Sequence, residues 1–125
     1  MIRTMLLTAD GQYSVGSSEQ VESWRAAPSS FIWLDIESPP TDDVRLLMES
    51  MQCDPLAISD GFRDRHPPKI EAFTNSTFIV FRGISKIDAT LEVSHQQIAM
   101  WVGQNYLITY HREASMSVSH MWNSE

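Results

Sequence analysis

Three aspartates in the middle of the chain have the type and spacing best suited to metal chemistry: Asp54, Asp60 and Asp64. Asp60 and Asp64 are four residues apart, so both can lie on one face of a helix. Mg²⁺ takes oxygen ligands, keeps several waters and needs only one or two protein carboxylates. Asp60 and Asp64 are therefore candidate metal ligands, forming half of a site that a partner subunit would complete. The alternative is a solvated acidic face balanced by Arg63 and Arg65.

Histidine chemistry is the second possibility. None of the four histidines lies in an H-E-x-x-H frame or a similar arrangement of metal ligands. His95 and His111 fall on two strands that are predicted to pair. If residue 97 pairs with residue 111, the two histidines share a face of the sheet, whereas pairing of residue 96 with 111 separates them. A zinc pair and two ordinary edge histidines both stay open.

Motifs of common enzyme classes are absent from the sequence. There is no G-x-S-x-G, no cysteine-protease signature, no G-x-x-x-x-G-K-[ST] and no G-x-G-x-x-G. The single cysteine, Cys53, ends a predicted helix and is expected to be an inert, partly buried thiol. We expect that the protein is not an enzyme. An enzyme with an unrecognised carboxylate or histidine site is the alternative.

The hydrophobic pattern predicts the elements that must position these residues. Asp10-Gly11 is a tight-turn signal between two short strands, and Pro55 suits the first turn of a helix. Ser17 and Ser18 are expected to cap one helix, and Thr41 or Asp42 the next. Strands are predicted over residues 2–7, 12–15, 31–36, 69–73, 77–85, 93–102 and 106–111, and helices over 19–27, from Thr41 or Asp42 through Met51, over 56–63 and over 113–122.

This order of two strands, helix, strand, two helices, four strands and helix predicts an α/β (α+β) fold. Helices should cover both faces of one mixed sheet, giving a three-layer α-β-α arrangement. Residues 123–125 offer no C-cap glycine, so the last helix looks cut rather than finished.

Composition narrows the class of protein. The length of 125 residues fits one domain, residues 1–125. Sixteen acidic against nine basic residues give a net charge of −7, which disfavours a nucleic-acid-binding role. One cysteine excludes an intramolecular disulfide and fits a reducing compartment. The longest apolar run, residues 98–102, is far shorter than the roughly 20 residues of a membrane span.

Several short motifs resemble the N-terminal cytoplasmic domain of the CorA family of divalent-cation transporters. They are a tryptophan-hydrophobic-acid strand, a Pro-Leu helix start, a Pro-Lys-Ile-Glu strand and a Phe-Ile-Val strand, followed by a similar hairpin. Their order and spacing together are more specific than any one of them. The resemblance covers roughly residues 30–122, and the motifs lie at Trp33 to Ile36, Pro55 to Asp60, Pro68 to Phe73, Phe78 to Val80 and Gln97 to Thr109.

The resemblance implies a homopentameric transporter of Mg²⁺ or Co²⁺ in the cell (inner) membrane. Its N-terminal domains form a funnel at the cytoplasmic face, joined to a long stalk helix and two transmembrane helices. The stalk, the membrane helices and the family's Gly-Met-Asn signature are not in these 125 residues. The expected partners are therefore the stalk and membrane regions, sister subunits and divalent cations, but no nucleic acid. The isolated domain is expected to be mostly monomeric.

The resemblance also implies a regulatory role for one carboxylate. Magnesium-transporting members use an acidic pair after the Pro-Leu helix start to bind regulatory Mg²⁺ between subunits. The second position of that pair maps to Asp60, and the first is Ser59 here. Asp64 is the candidate replacement ligand, and binding should be weak in the isolated domain. Lys69 and Glu71 are expected to be structural.

The zinc-transporting branch, typified by ZntB, is a close relative by the same motifs. Residues 77–84 and 97–100 resemble that branch at least as well. Mg²⁺, Co²⁺ and Zn²⁺ therefore all stay open as the transported ion. A free-standing cytosolic binding module with the same fold is the other alternative.

Overall fold

A single sheet of seven strands organises the protein in the computed structural model, which describes residues 1–124. Four helices lie between or after the strands, in the predicted order. The elements are β1 (Ile2–Leu7), β2 (Tyr13–Gly16), α1 (Gln20–Ala26), β3 (Phe31–Glu37), α2 (Asp42–Ser50), α3 (Pro55–Phe62), β4 (Lys69–Ala72), β5 (Thr77–Ile87), β6 (Val93–Val102), β7 (Tyr106–His111) and α4 (Met116–Trp122).

The strands run in the order β2-β1-β3-β7-β6-β5-β4. The central pair β3 and β7 is parallel, and the other neighbouring pairs are antiparallel. A parallel pair needs a long crossover, and here that crossover contains α2, α3 and the β4–β6 meander. The prediction of a mixed sheet is confirmed.

Alternation along β3 shows how the two faces are used. Ile32, Leu34 and Ile36 are fully buried in the core that also contains buried residues of α1, α2 and α3. Trp33 points the opposite way and packs against Trp122 of α4, with ring centroids 4.8 Å apart and the ring planes tilted by 55°. Helices therefore cover both faces of the sheet, and the predicted three-layer α-β-α arrangement is confirmed.

Some helix starts differ from the predictions. The serine cap of α1 is wrong: Glu19 is the N-cap, without a side-chain capping bond, because Ser17 donates its hydroxyl to the Ile2 carbonyl instead. The last helix starts at Met116 rather than residue 113. The Gln96 side chain holds the backbone of residues 113 and 114 in a non-helical link, and the Ser115 hydroxyl accepts from the Val118 amide as the cap.

Other local signals are confirmed. Gly11 has φ of +87° in the turn between β1 and β2, a conformation that favours glycine. Thr41 caps α2 through Val44 N, and Pro55 occupies the first turn of α3. Asn123 is the C-cap of α4, while residue 125 of the predicted unfinished helix end lies outside the described residues. None of the helices in residues 1–124 combines the length and apolar character needed to cross a membrane.

Candidate functional site

Asp60 is positioned by the close packing of α3 on the sheet. The Asp54 side chain starts the helix by accepting from the amides of Leu56 and Ala57. A Cβ at Gly61 would lie 2.8 Å from the Trp101 ring, so only glycine allows this approach. The contact holds the last turn of α3 against β6 and leaves Asp60 partly exposed on the outer side.

A lysine from the neighbouring strand already neutralises Asp60. Lys69 Nζ donates to Asp60 Oδ2 at 2.8 Å and to Glu71 Oε1 at 3.0 Å. His66 Nε2 lies 3.7 Å from Asp60 Oδ1. The hydrogen bond from Lys69 lowers the pKa of the Asp60 carboxyl below its ordinary value, and Asp60 in turn raises the pKa of Lys69. One ammonium thus sits between two carboxylates, at a position where a metal cation could bind.

Asp64 has a different environment. Helix α3 ends at Phe62, and Arg63 has extended backbone dihedrals, so the inference that Asp60 and Asp64 share one helical face is wrong. The Asp64 side chain is 88% exposed, and its Oδ1 lies 3.6 Å from Arg112 Nε. Ser59, at the first position of the expected acidic pair, accepts a hydrogen bond from Arg45. Asp60 and Asp64 as metal ligands stay a prediction.

The described residues offer only part of a metal site. Within residues 1–124, no group of three or more His, Cys, Asp or Glu side chains is placed to hold a metal ion. Asp60 and Glu71 around Lys69 can supply carboxylate oxygens for a hard cation, with water or another chain filling the remaining positions.

A second ionic cluster lies on the opposite face of the sheet, around Asp35. This carboxylate is fully buried inside β3. Arg3 Nε donates to Oδ2 at 2.8 Å, and Thr109 Oγ1 donates to Oδ1 at 2.7 Å. His111 Nε2 lies 2.8 Å from Oδ1. The sheet register creates the cluster, because it pairs Asp35 with Arg3 on one side and with Thr109 on the other.

The hydrogen bonds of the cluster indicate its charge state. His111 Nδ1 lies 2.6 Å from the Glu113 carbonyl oxygen, so both ring nitrogens face acceptors and both must donate. Burial alone would lower the pKa of His111, but the hydrogen bond and charge of Asp35 raise it above its ordinary value. Burial alone would raise the pKa of Asp35, but His111, Thr109 and Arg3 lower it. The pair is a buried imidazolium and carboxylate.

Asp35 lies near the end of the strand predicted over residues 31–36, and the sequence patterns did not reveal this cluster. The available signal was an acid within an aromatic and β-branched strand, since a buried carboxylate requires basic or hydrogen-bonding partners. Its partners come from 32 residues before it and more than 70 after it, which local patterns do not reveal.

The structure also shows where the other candidate residues, His95, His111 and Cys53, lie. Ala99 pairs with Tyr110, so neither residue 96 nor residue 97 lies opposite His111. His95 is exposed and pairs with Ile84, whereas His111 is buried against Asp35. Cys53 is buried, and burial raises the pKa of its thiol to about 12, as an inert thiol requires.

Comparison with known proteins gives the family and the fold. The family model described as CorA-like Mg²⁺ transporter protein matches residues 28–123. A Schizosaccharomyces pombe protein provisionally named a metal ion transporter is 25% identical over 80 residues, which are 63% of this chain and 13% of that protein.

Solved structures agree at low sequence identity. The soluble domain of CorA from Methanocaldococcus jannaschii has a TM-score of 0.68 at 13% identity, over 95% of this chain and 44% of that chain. The complete CorA magnesium transporter of the same organism has a TM-score of 0.69 at 13% identity, over 95% and 35%. The cytoplasmic domain of ZntB from Vibrio parahaemolyticus has a TM-score of 0.59 at 15% identity, over 74% and 38%.

The chain thus spans less than half the length of each of these relatives. The resemblance to CorA, with ZntB as a relative, is confirmed, and the fold is that of the CorA soluble domain. The match over residues 28–123 covers most of the sequence, and on this basis the chain belongs to the CorA-like Mg²⁺ transporter family.

Proposed function

We propose that this chain is the regulatory, cytoplasm-facing domain of a homopentameric transporter of divalent metal ions, and that it carries no catalytic activity. The observation that carries the proposal is the family match over residues 28–123 on a fold that aligns with the CorA soluble domain over 95% of the chain. The transported ion, in this proposal, is Mg²⁺ or Co²⁺. Stalk, membrane regions and sister subunits are its partners.

Regulation by metal is assigned to Asp60, with Asp64 as the secondary ligand. A divalent ion between subunits would bridge facing carboxylates and hold the closed state, and its loss would leave acidic groups that repel each other. Asp60 supports this role because it is accessible enough to receive a ligand from another chain. Asp64 is open to solvent but has Arg112 beside it, which opposes a second positive charge.

Lys69 gives the proposed site an internal competitor. Its ammonium donates to both Asp60 and Glu71, so a metal ion must displace it or share the carboxylates with it. Displacement removes two charge-assisted hydrogen bonds, which weakens the binding of any cation. We therefore expect Mg²⁺ affinity in the millimolar range or weaker for the isolated domain.

A zinc or cobalt site is the second candidate, supported by His66. The imidazole lies 3.7 Å from Asp60, and its Nδ1 lies 2.8 Å from the Pro67 carbonyl oxygen, which leaves Nε2 facing the carboxylate. One imidazole and one carboxylate suit Zn²⁺ or Co²⁺ better than Mg²⁺. The similarity to the ZntB cytoplasmic domain supports the same candidate.

Calorimetric titration of the 125-residue chain with MgCl₂ tests the Asp60 assignment. Lys69→Met should bind Mg²⁺ more tightly than the wild type, because it frees two carboxylates. Asp60→Asn in the same background should abolish that gain. Lys86→Met, which removes an exposed lysine of β5 that has no ion pair among residues 1–124, is the matched control for charge. An equal gain from the control, or a gain that survives Asp60→Asn, contradicts the assignment.

Two further measurements separate the alternatives. The titration is repeated with ZnCl₂ and CoCl₂ on the wild type and on His66→Ala. If the imidazole is a ligand, the variant should bind Zn²⁺ and Co²⁺ more weakly than the wild type and should bind Mg²⁺ equally well. Sequencing the source gene past codon 125 tests the transporter itself. Two apolar stretches of about 20 residues support it, whereas a stop codon at that position would favour a free-standing binding module.

A further inference from the structure

Arginines are distributed unevenly over this acidic protein. Four of the seven, Arg63, Arg65, Arg82 and Arg112, line one cleft of about 240 Å³. The other three each have a carboxylate partner within 4 Å. Within residues 1–124, no carboxylate lies that close to Arg63, Arg65 or Arg82, and Arg112 reaches only the exposed Asp64 at 3.6 Å. The cleft therefore concentrates uncompensated positive charge in a chain with a net charge of −7.

Three parts of the fold bring these arginines together. Arg63 and Arg65 follow the end of α3, Arg82 lies in β5, and Arg112 directly follows β7. Arg82 pairs with Gln97 across β5 and β6, so both side chains point to the α3 face of the sheet. The cleft lies at this face, beyond the C-terminal end of α3.

Hydrogen-bonding capacity at the cleft is also unused. Arg112 donates through Nη2 to the Phe62 carbonyl, but its buried Nε has no hydrogen-bond partner. Gln97 is only 8% exposed; its Nε2 donates to the carbonyls of Asp60 and Gly61, and its Oε1 has no partner. An unpaired buried donor costs folding free energy, so an acceptor oxygen of a bound ligand would relieve the cost at Arg112 Nε. Gln97 Oε1 is itself an acceptor and can pair only with a donor, such as a water or a protonated phosphate oxygen.

Helix stabilisation explains only part of this arrangement. Positive side chains near a helix C-terminus interact favourably with its dipole, and Arg112 caps α3 in this way. Arg82 has no such role: its side chain is exposed on a strand and makes no hydrogen bond or ion pair to residues 1–124. Its position beside three other arginines raises the energy of the unliganded protein through repulsion.

We propose that this cleft, formed by Arg63, Arg65, Arg82 and Arg112, binds a small phosphate-type oxyanion. The planar guanidinium group matches phosphate oxygens in paired hydrogen bonds, and four such groups supply more positive charge than Asp64 and Glu113 on the cleft wall remove. The volume is below the roughly 300–1,000 Å³ typical of pockets for larger organic ligands. The cleft therefore holds a phosphate group, either free or at the end of a larger metabolite. The cleft shares Asp64 with the cation site proposed at Asp60, but it takes a ligand of the opposite charge.

Thermal unfolding and NMR titration of the 125-residue chain in metal-free buffer test the proposal. Sodium phosphate should raise Tm above the value in sodium chloride of the same ionic strength, because a ligand that binds only the folded state stabilises it. In ¹H–¹⁵N spectra, the arginine Nε–H resonances and the amides of residues 61–65 should shift. Comparison with ATP distinguishes the two sources: tighter binding of ATP assigns the site to the phosphate end of a metabolite, and tighter binding of free phosphate assigns it to the inorganic ion.

Arg82→Gln is the informative variant, since the Arg82 side chain makes no hydrogen bond or ion pair that the fold requires. It should raise the Kd for phosphate about tenfold, the effect of losing one hydrogen bond to a charged group. It should leave Tm without phosphate unchanged or slightly higher, because a repelling charge is removed.

The control is Arg25→Gln, which makes the same change of charge on α1 and should bind phosphate like the wild type. Equal stabilisation by chloride, or equal weakening by both variants, would overturn the proposal, because either result means general screening of charge.

Discussion

Asp35 and Asp60 are both bound to basic side chains, yet their surroundings differ in every other respect. Asp35 is fully buried within β3 and receives three hydrogen bonds, from Arg3, Thr109 and His111. Asp60 lies on the outer side of α3, where its side chain is 26% exposed and its closest partner is Lys69. The first carboxylate is enclosed by the sheet, and the second is open to solvent.

This difference separates a structural charge from an exchangeable one. Replacing the partners of Asp35 requires opening the layer between the sheet and α4, where Arg3 also lies over the Trp122 ring at 4.4 Å. Lys69 can leave Asp60 by rotating a flexible side chain into water. A ligand-binding role is therefore physically accessible to Asp60, whereas Asp35 is suited to holding β1, β3 and β7 together.

Removing the buried carboxylate should give the largest effect on stability. Asp35→Ala leaves a buried imidazolium and a partly buried guanidinium without their counter-charge, so we expect a loss of about 3–5 kcal/mol in the free energy of unfolding. Urea denaturation followed by tryptophan fluorescence measures it. A loss as small as that of an exposed ion pair would show that the cluster is not buried as described.

Changing pH should break the buried cluster from either side. The His111 pKa is raised above its ordinary 6.5, so its stabilisation is present below pH 6.5 and is lost as the pH rises through the raised value. The Asp35 pKa is lowered below its ordinary 3.8, so its stabilisation is present above pH 3.8 and is lost as the pH falls through the lowered value. Both groups therefore contribute their full stabilisation between pH 3.8 and pH 6.5.

Comparison with His111→Gln isolates the histidine contribution. Between pH 4 and 6.5, the variant should be less stable than the wild type by about 1.5–3 kcal/mol, the usual contribution of a hydrogen bond to a charged group. The difference should shrink as the pH rises further. Urea denaturation of both proteins across this range measures it, and a difference that grows with pH would mean that the buried histidine is neutral.

The same contrast explains how much of the molecule could be predicted. Composition, periodicity and turn signals identified all the elements, because each pattern, such as the aromatic and β-branched run of β3, is local. The exact strand ends were harder to predict. Strand β5 continues to Ile87 through a bulge near Ile84, and this bulge depends on the pairing of β5 with β6. The start of α4 depends on Gln96, which is 17 residues away from Glu113.

Site residues were harder to predict than the elements. Asp60 was identified because its sequence position resembles a known motif, but its neutralisation by Lys69 depends on the packing of β4 beside α3. The sheet register brings together the Asp35 cluster from three strands. The arginine-lined cleft joins Arg82 of β5 to residues that follow α3 and β7, which only the whole fold brings together. Four-residue spacing failed for Asp64 because the helix ends two residues before it.

The exposed pair should give the smallest effect and the greatest sensitivity to salt. Asp60→Ala leaves Lys69 with its second carboxylate, Glu71 at 3.0 Å, so the loss of stability should be a small fraction of that for Asp35→Ala. At 1 M NaCl the screening length falls to about 3 Å, so even this loss should disappear. The loss for Asp35→Ala should persist, because mobile ions do not reach a buried carboxylate.

Urea denaturation of the wild type, Asp35→Ala and Asp60→Ala at low and high salt measures both differences. An Asp60→Ala effect that is large and independent of salt would mean that Asp60 is a structural charge like Asp35, leaving no exchangeable carboxylate for a regulatory metal at this position.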